Sequence, residues 1–153
     1  MRLGAWLVIA VLLALVPAPA CAWTLQDMQG HTLDQAAFHG RWVLVNFWAT
    51  WCPPCRKEIP ELIRLQHDEA GRLTIIGIAV SYSNAQSVGD FVRRHGMGYP
   101  IVLGNAEMAG EFGGFRGLPA SFLYGPDGRL VHRFEGAQTE ASITQAMGPP
   151  SPH

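Results

Sequence analysis

Two long apolar stretches dominate the middle of the chain. Residues 42–49 and residues 73–80 are almost continuously apolar and rich in β-branched and aromatic side chains, as in buried strands of a parallel sheet. The segment between them, residues 56–70, carries four apolar residues at the spacing of one helix face: Ile59, Leu62, Ile63 and Leu65. The pattern predicts strand, helix, strand, which is a right-handed βαβ unit.

Shorter patterns precede this unit. Thr24–Gln26 and residues 31–33 are separated by a turn through Gln29 and Gly30, and they predict a small β-hairpin. Asp34 is then placed to cap a short helix that ends near Gly40. We interpret this part as an N-terminal extension of the main fold.

The pattern after the second long strand predicts a further helix and an insertion. A helical stripe at Val88, Phe91 and Val92 ends at the glycines that follow it. Residues 99–103 then predict a short strand, and residues 106–112 predict a short helix.

The C-terminal part predicts a strand pair and a final helix. Ala120–Tyr124 and residues 130–134 flank a turn with proline at its second position and glycine at its fourth, which favours an antiparallel hairpin. A last helix is expected over residues 139–147, with few apolar anchors. Together these elements predict an α/β protein with a central mixed sheet flanked by helices.

Composition narrows the class of protein. The chain has 153 residues, 48% of them apolar and 15% charged, enough to bury the core of one domain. Its formal net charge of −1 gives no reason to expect nucleic-acid binding. Three cysteines are too few for a disulfide-stapled miniprotein, which favours a working dithiol.

The first 22 residues resemble an export signal. Arg2 supplies positive charge, residues 5–16 form an apolar run, and small residues before Cys21 resemble a cleavage site. The run of about 12 residues is short of the roughly 20 that a spanning helix needs. Cleavage is our main expectation, and lipidation at Cys21 or a retained membrane anchor are the alternatives. We assign residues 1–22 to the signal, 23–147 to the domain and 148–153 to a disordered tail.

Cys52 and Cys55 lie where the first long strand leads into the helix. At a spacing of three residues in a helical turn, their side chains are close enough to form a disulfide. A Cys52 thiolate at the helix N-terminus would be stabilised by unpaired N–H groups and the helix dipole, so we expect an exposed nucleophile. Cys55 lies one turn further, where we expect burial by Phe47 and Trp48 to keep the pKa of this resolving thiol high.

The two residues between the cysteines affect the redox potential. Pro53 and Pro54 have no N–H, so they remove two backbone donors that a thiolate could use. A less stabilised thiolate means a more reducing couple, with a potential nearer thioredoxin's, about −270 mV, than a strong oxidant's, about −120 mV.

Metal binding is the alternative use of this pair. A zinc site needs two further ligands, and the sequence has neither a second C-x-x-C nor a closely spaced histidine pair. Cu(I) binding by the dithiol, in a module that delivers the ion, remains a second hypothesis because soft thiolates select that ion.

Over residues 24–136 the chain resembles the TlpA/ResA/DsbE-like thiol-disulfide oxidoreductases of the thioredoxin superfamily. The resemblance is carried by residues 43–61, which contain the dithiol, and by Gly117, Leu118, Pro119, Phe122, Leu123 and residues 126–129. It implies a thioredoxin fold with the N-terminal hairpin as an extension and a central βα insertion. No cofactor beyond a redox-active disulfide is implied.

The resemblance also implies where a substrate binds. Pro119 would be a cis-proline beside the dithiol, and Leu118 would offer its backbone to a substrate strand. Trp51 and Pro53 would complete the substrate-binding surface.

The resemblance also implies an acidic group for proton transfer, at a different position from the one in cytoplasmic thioredoxins. Asn46 stands where cytoplasmic thioredoxins have a buried aspartate, and Glu58 matches the glutamate that this branch is thought to use. Cys55 and Glu58 share a helix face, so a desolvated Glu58 with a raised pKa could take the proton of Cys55. A solvated glutamate that favours the helix dipole is the alternative.

The function expected from the resemblance is reduction of protein disulfides in the periplasm. Apocytochrome c haem-site cysteines or metal-assembly thiols are the candidate substrates, and a membrane thiol-disulfide relay is the expected electron donor. Ala120 stands where the cytochrome c maturation branch commonly carries an acid, which favours general dithiol reduction. We expect a monomer, with a possible membrane tether at the N-terminus.

Overall fold

The computed structural model describes residues 22–149 of the chain. The predicted signal, apart from Ala22, lies outside this range with Cys21, as do the last four residues of the predicted tail. Within the described range, no helix combines the length and the apolar character needed to cross a bilayer.

A small antiparallel hairpin begins the described chain. It consists of β1 (Thr24–Gln26) and β2 (Thr32–Asp34), and a 3-10 helix at Gln35–Phe38 follows it. Asp34 caps that helix by accepting a hydrogen bond from the Ala36 N–H, as predicted. The hairpin covers the edge of the main sheet, because the Met28 N–H donates to the Ile101 carbonyl at 2.8 Å.

The main sheet has five strands and is mixed, which confirms the predicted fold class. The strands are β3 (Trp42–Trp48), β4 (Leu73–Ala79), β5 (Ile101–Leu103), β6 (Ala120–Tyr124) and β7 (Leu130–Glu135). Their spatial order is β5-β4-β3-β6-β7; β3 and β5 run parallel to β4, while β6 runs antiparallel to both β3 and β7. The carboxyl ends of β3 and β4 therefore lie beside the beginning of β6.

Four helices pack on the sheet. They are α1 (Pro53–Asp68), α2 (Ala85–His95), α3 (Ala106–Glu111) and α4 (Glu140–Met147). The predicted insertion is present as β5 and α3. Helix α1 begins directly after Cys52, as predicted, and the prolines in its first turn are tolerated because an N–H there would have no partner within the helix. Helix α4 is anchored by Ile143 and Met147, which are both buried.

Strand β3 divides the core into two layers. Leu44 and Trp48 lie in the layer that also contains both cysteines and the buried faces of α1, α2 and α4. Phe47 points to the opposite layer, where its ring packs against Phe112, Phe115 and Phe122 at centroid distances of 5.4, 4.9 and 5.8 Å. The expectation that Phe47 covers Cys55 is therefore wrong, since successive strand residues face opposite sides of a sheet.

Candidate active site

The dithiol lies at the N-terminus of α1. Cys52 is the N-cap residue, and Cys55 belongs to the first turn. The two form a disulfide with a Cα–Cα distance of 5.3 Å. The Cys55 N–H donates to Cys52 Sγ at 3.3 Å, whereas Pro53 and Pro54 have no N–H to donate. The helix thus provides one backbone donor and its dipole to the sulfur of Cys52.

The expectation that Cys52 is exposed is wrong for the disulfide form. Cys52 is 3% exposed and Cys55 is fully buried. Both sulfur-bearing residues belong to one apolar cluster, and Leu118 packs against that cluster. In the disulfide form Cys52 therefore presents little surface to a substrate.

Trp51 is the exposed aromatic residue of the site, with 61% of its surface accessible. Its indole Nε1–H donates to the Ser81 carbonyl oxygen at 3.0 Å, so the ring is tied to the segment that follows β4. Ser81 has a φ of +53°, in the left-handed region that residues other than glycine rarely adopt. The turn after β4 therefore orients a side chain beside the dithiol, a function that we did not assign to it from the sequence.

The cis-proline implied by the resemblance is present. The peptide bond between Leu118 and Pro119 is cis. Pro119 lies at the dithiol end of the sheet because the next residue, Ala120, pairs with Phe47 near the end of β3. Leu118 is partly buried, and Pro53 is exposed on the first turn of α1. The four residues implied for substrate binding thus lie around one end of the sheet.

Glu58 is buried beneath the dithiol, with 2% of its surface exposed. Its Oε2 accepts a hydrogen bond from Asn46 Nδ2 at 3.0 Å, and its Oε1 accepts one from the Gln138 N–H at 2.9 Å. Asn46 Nδ2 also donates to Ser121 Oγ at 2.9 Å. Asn46 therefore holds the carboxyl group of Glu58, the acid that the resemblance implies.

Burial raises the pKa of Glu58 to about 7, against the lowering effect of the hydrogen bonds from Gln138 and Asn46. Cys55 and Glu58 are three residues apart on the buried face of α1. A carboxyl group that titrates near neutral pH can act as a general base for a nearby thiol. The solvated alternative for Glu58 does not hold in this structure.

The protonation state of Glu58 affects two neighbouring side chains, Asn46 and Tyr99. Asn46 Oδ1 has no hydrogen-bond partner in the described range, and rotating this amide by 180° would direct that acceptor at Glu58. The acceptor would then suit a protonated carboxyl group. Burial and, to a smaller extent, the charge of Glu58 raise the pKa of the Tyr99 phenol above its ordinary value.

Sequence reasoning missed several neighbours of the carboxyl group. Ser121 is 75 residues from Asn46, and Gln138 is 80 residues from Glu58. Pairing of β3 with β6 could have placed Ser121 opposite Asn46, had the register been known. Gln138 contacts Glu58 through its backbone N–H, so the type of side chain at this position could not predict the contact.

The described residues show no assembled metal site. Between residues 22 and 149, no three His, Cys, Asp or Glu side chains come together in a way that could hold an ion. The dithiol therefore has no third ligand of these types there.

Comparison with known proteins identifies the family. The profile described as the AhpC/TSA family matches residues 16–133. The thiol-disulfide oxidoreductase ResA of Bacillus subtilis is 30% identical over 126 residues, which cover 82% of this chain and 70% of ResA. The protein of the same name from Halalkalibacterium halodurans is 31% identical over 131 residues, covering 84% of this chain and 73% of that protein.

A solved structure agrees with these relatives. The crystal structure of a thiol:disulfide interchange protein from Chlorobium tepidum, described as a thioredoxin family protein, superposes with a TM-score of 0.75 and 30% sequence identity. The match covers 86% of this chain and 94% of that one. The chain therefore belongs to the AhpC/TSA family and is a ResA-like thiol-disulfide oxidoreductase of thioredoxin fold with a Cys52–Cys55 disulfide.

Proposed function

We propose that the protein reduces disulfides of other exported proteins, with Cys52 as the nucleophile, Cys55 as the resolving thiol and Glu58 as the proton acceptor. The observation that carries the proposal is the buried Glu58 carboxyl group with a pKa of about 7, three residues from Cys55 on the buried face of the helix that begins at Cys52. This arrangement provides an activated thiolate and a buried base on the same helix face as the second thiol.

The reaction proceeds in two exchanges. The Cys52 thiolate attacks one sulfur of the substrate disulfide, whose S–S bond breaks as a mixed disulfide forms and the first substrate thiolate leaves. Cys55 gives its proton to Glu58 and attacks Cys52 Sγ, which restores the Cys52–Cys55 disulfide and releases the second substrate thiolate. Two electrons pass from the dithiol to the substrate, and the released thiolates take up protons according to their pKa.

The proposed setting is the periplasm. Its support is the signal-like pattern of residues 1–22, which could also tether the protein to the membrane. A reductant that works in an oxidising compartment ends each cycle as a disulfide, so it needs an electron donor, for which we propose a membrane thiol-disulfide relay. Apocytochrome c haem-site cysteines and metal-assembly thiols are the proposed substrates, and the protein acts as a monomer.

Trapping tests the proposal directly. In a Cys21→Ala background, Cys55→Ser should leave Cys52 in stable mixed disulfides with its partners, since the resolving thiol is gone. These adducts should disappear on reduction, and mass spectrometry should place them on Cys52. The matched control is Cys52→Ser, which should capture little because the buried Cys55 lacks the helix N-terminal position. Equal capture by both variants, or capture by neither, would overturn the assignment of Cys52 as the nucleophile.

A further inference from the structure

The loops around the dithiol carry an uneven charge. We define the dithiol rim as residues 50–57, 81–84 and 115–119, which are the segments at the dithiol end of β3, β4 and β6. The rim contains Arg56, Lys57 and Arg116 and no carboxylate. All three cations are exposed. None of them forms an ion pair within the described range.

Cations elsewhere in the protein are paired in part, since Arg41, Arg94, Arg129 and Arg133 also form no ion pair within the described range. Three arginines away from the rim have acidic partners: Arg64 pairs with Glu61 and Glu140, Arg72 with Glu69, and Arg93 with Asp90. The whole chain has a formal net charge of −1, so the rim is opposite in sign to the protein that carries it. The exposed Glu135 pairs with Ala120 at the same end of the sheet, but the three rim cations outnumber it, and this excess of positive charge creates a local field that acts on approaching molecules.

Stabilisation of helix α1 does not explain why two of its residues in the rim are basic. Arg56 and Lys57 lie in the first two turns of α1, where the helix dipole favours acidic side chains and disfavours basic ones. Packing holds one of them in place, since the Arg56 guanidinium lies over the Phe91 ring at 5.9 Å from its centroid. The two basic residues therefore lie beside Cys52 although the helix dipole disfavours them there.

The rim cations flank the dithiol from two sides. Arg56 is held toward α2 through Phe91, on the sheet face that contains the cysteines. Arg116 follows Phe115, whose ring packs on Phe47 at 4.9 Å on the opposite face. The exposed Trp51 lies at the same end of the sheet and offers apolar contact area.

We infer that the proteins reduced at this site carry acidic residues beside their reactive cysteines, which the rim cations Arg56, Lys57 and Arg116 attract. This inference rests on the proposed reductase function and narrows its substrate class by charge. The attraction acts on the encounter, so it raises the second-order rate constant for exchange and weakens as salt is added.

The test compares three disulfide-linked peptides of equal length, in which the residues flanking the cysteines are acidic, neutral or basic. The reduced protein should reduce the acidic peptide about tenfold faster than the basic one at low ionic strength, and the ratio should approach one in about 1 M salt. Hydroxyethyl disulfide serves as an uncharged probe that reports the intrinsic reactivity of Cys52 without recruitment.

Two variants test whether the rim cations cause the preference for the acidic peptide. Arg116→Gln should reduce the preference for the acidic peptide several-fold while leaving reduction of hydroxyethyl disulfide unchanged, because that probe carries no charge for Arg116 to attract. The matched control is Arg129→Gln, since Arg129 is also an exposed cation without an ion pair in the described range but lies in the β6–β7 turn at the other end of the sheet. This control should keep the full preference.

The outcomes separate this inference from the function on which it rests. Equal rates for all three peptides, with normal reduction of hydroxyethyl disulfide, would overturn the charge preference and leave the reductase function intact. Failure to reduce any peptide or hydroxyethyl disulfide would overturn the reductase function itself. A preference that Arg129→Gln removes as fully as Arg116→Gln would show that net charge, and not the rim, selects the substrate.

Discussion

Glu58 is the residue whose environment departs most from its ordinary chemistry. Its carboxyl group is buried, and its two oxygens accept hydrogen bonds from Asn46 and from the backbone of Gln138. These bonds favour the charged form, but desolvation outweighs them and sets the pKa near 7. Glu58 is therefore largely protonated at mildly acidic pH and largely ionised at mildly alkaline pH.

The raised pKa of Glu58 predicts how stability depends on pH. The folded protein binds a proton that the unfolded chain releases above about pH 4.5, so the free energy of unfolding should fall as pH rises from about 4.5 to about 7. A shift of this size corresponds to about 3 kcal/mol. Chemical denaturation of the oxidised protein at a series of pH values should show this loss, and Glu58→Gln should remove most of it.

Glu61→Gln is the matched control for that measurement. Glu61 lies one turn further along α1, and a hydrogen bond from the Glu140 N–H, followed by one from Arg64, lowers its pKa. Because the pKa of Glu61 is lowered, its titration changes the free energy of unfolding only at more acidic pH. Glu61→Gln should therefore keep the decrease in the free energy of unfolding between pH 4.5 and 7. A slope that survives in Glu58→Gln would show that another group causes it.

At the scale of elements, strand alternation determines what lies beneath the disulfide. Asn46 and Trp48 point to the face that α1 covers, and Phe47 points away from it. Asn46 therefore meets Glu58 on one side and Ser121 of β6 on the other. On β4, the residue paired with Asn46 is Gly77, whose missing side chain leaves room for Trp48 and Tyr99.

Gly77 is predicted to be a close-packed position of β4. A Cβ atom there would lie 2.9 Å from Ile101 Cδ1, 3.0 Å from Trp48 Nε1 and 3.1 Å from Tyr99 Cε2. Gly77→Ala should therefore lower the free energy of unfolding by about 1–3 kcal/mol through overpacking, as measured by chemical denaturation. Gly98→Ala is the control, because no atom lies within 4 Å of its added Cβ, and it should be neutral or slightly stabilising. Equal effects of the two substitutions would contradict this account of the packing.

At the scale of the whole molecule, the fold brings the loops after β3 and β4 together with the loop before β6. Helix α1 contributes the dithiol, the turn after β4 holds Trp51, and the cis-proline loop packs Leu118 against the cysteine cluster. The N-terminal hairpin covers the edge strand β5. The covered sheet edge and the end of the sheet that carries the dithiol are thus formed by different loops.

The redox potential is a property of this whole arrangement, and its expected value stays a prediction. With one N–H donor to Cys52 Sγ and two prolines beside it, we expect a potential closer to about −270 mV than to about −120 mV, to be measured by equilibration with thiol-disulfide buffers of known potential. Replacing Pro53 and Pro54 by residues with an N–H should stabilise the thiolate and move the potential in the oxidising direction. A wild-type value near −120 mV would contradict the role given to the prolines.

Much of the fold follows from local sequence patterns. The apolar runs, the helical stripes and the turn residues predict the strands and helices with errors of a few residues, because each pattern reflects burial of one face of one element. The C-x-x-C pair between a strand and a helix is equally local, since both the disulfide geometry and the thiolate stabilisation arise within one helical turn.

The sequence by itself determined the elements, the dithiol and the absence of N–H groups between its cysteines, because these depend on neighbours a few positions apart. Only the tertiary structure decided that Cys52 is covered, that Phe47 faces away from Cys55, and that Glu58 is enclosed by Asn46 and Gln138. Burial and pKa depend on groups brought together from distant parts of the chain, one of them a backbone N–H 80 residues away. Such contacts arise from the packing of whole elements, which local patterns do not record.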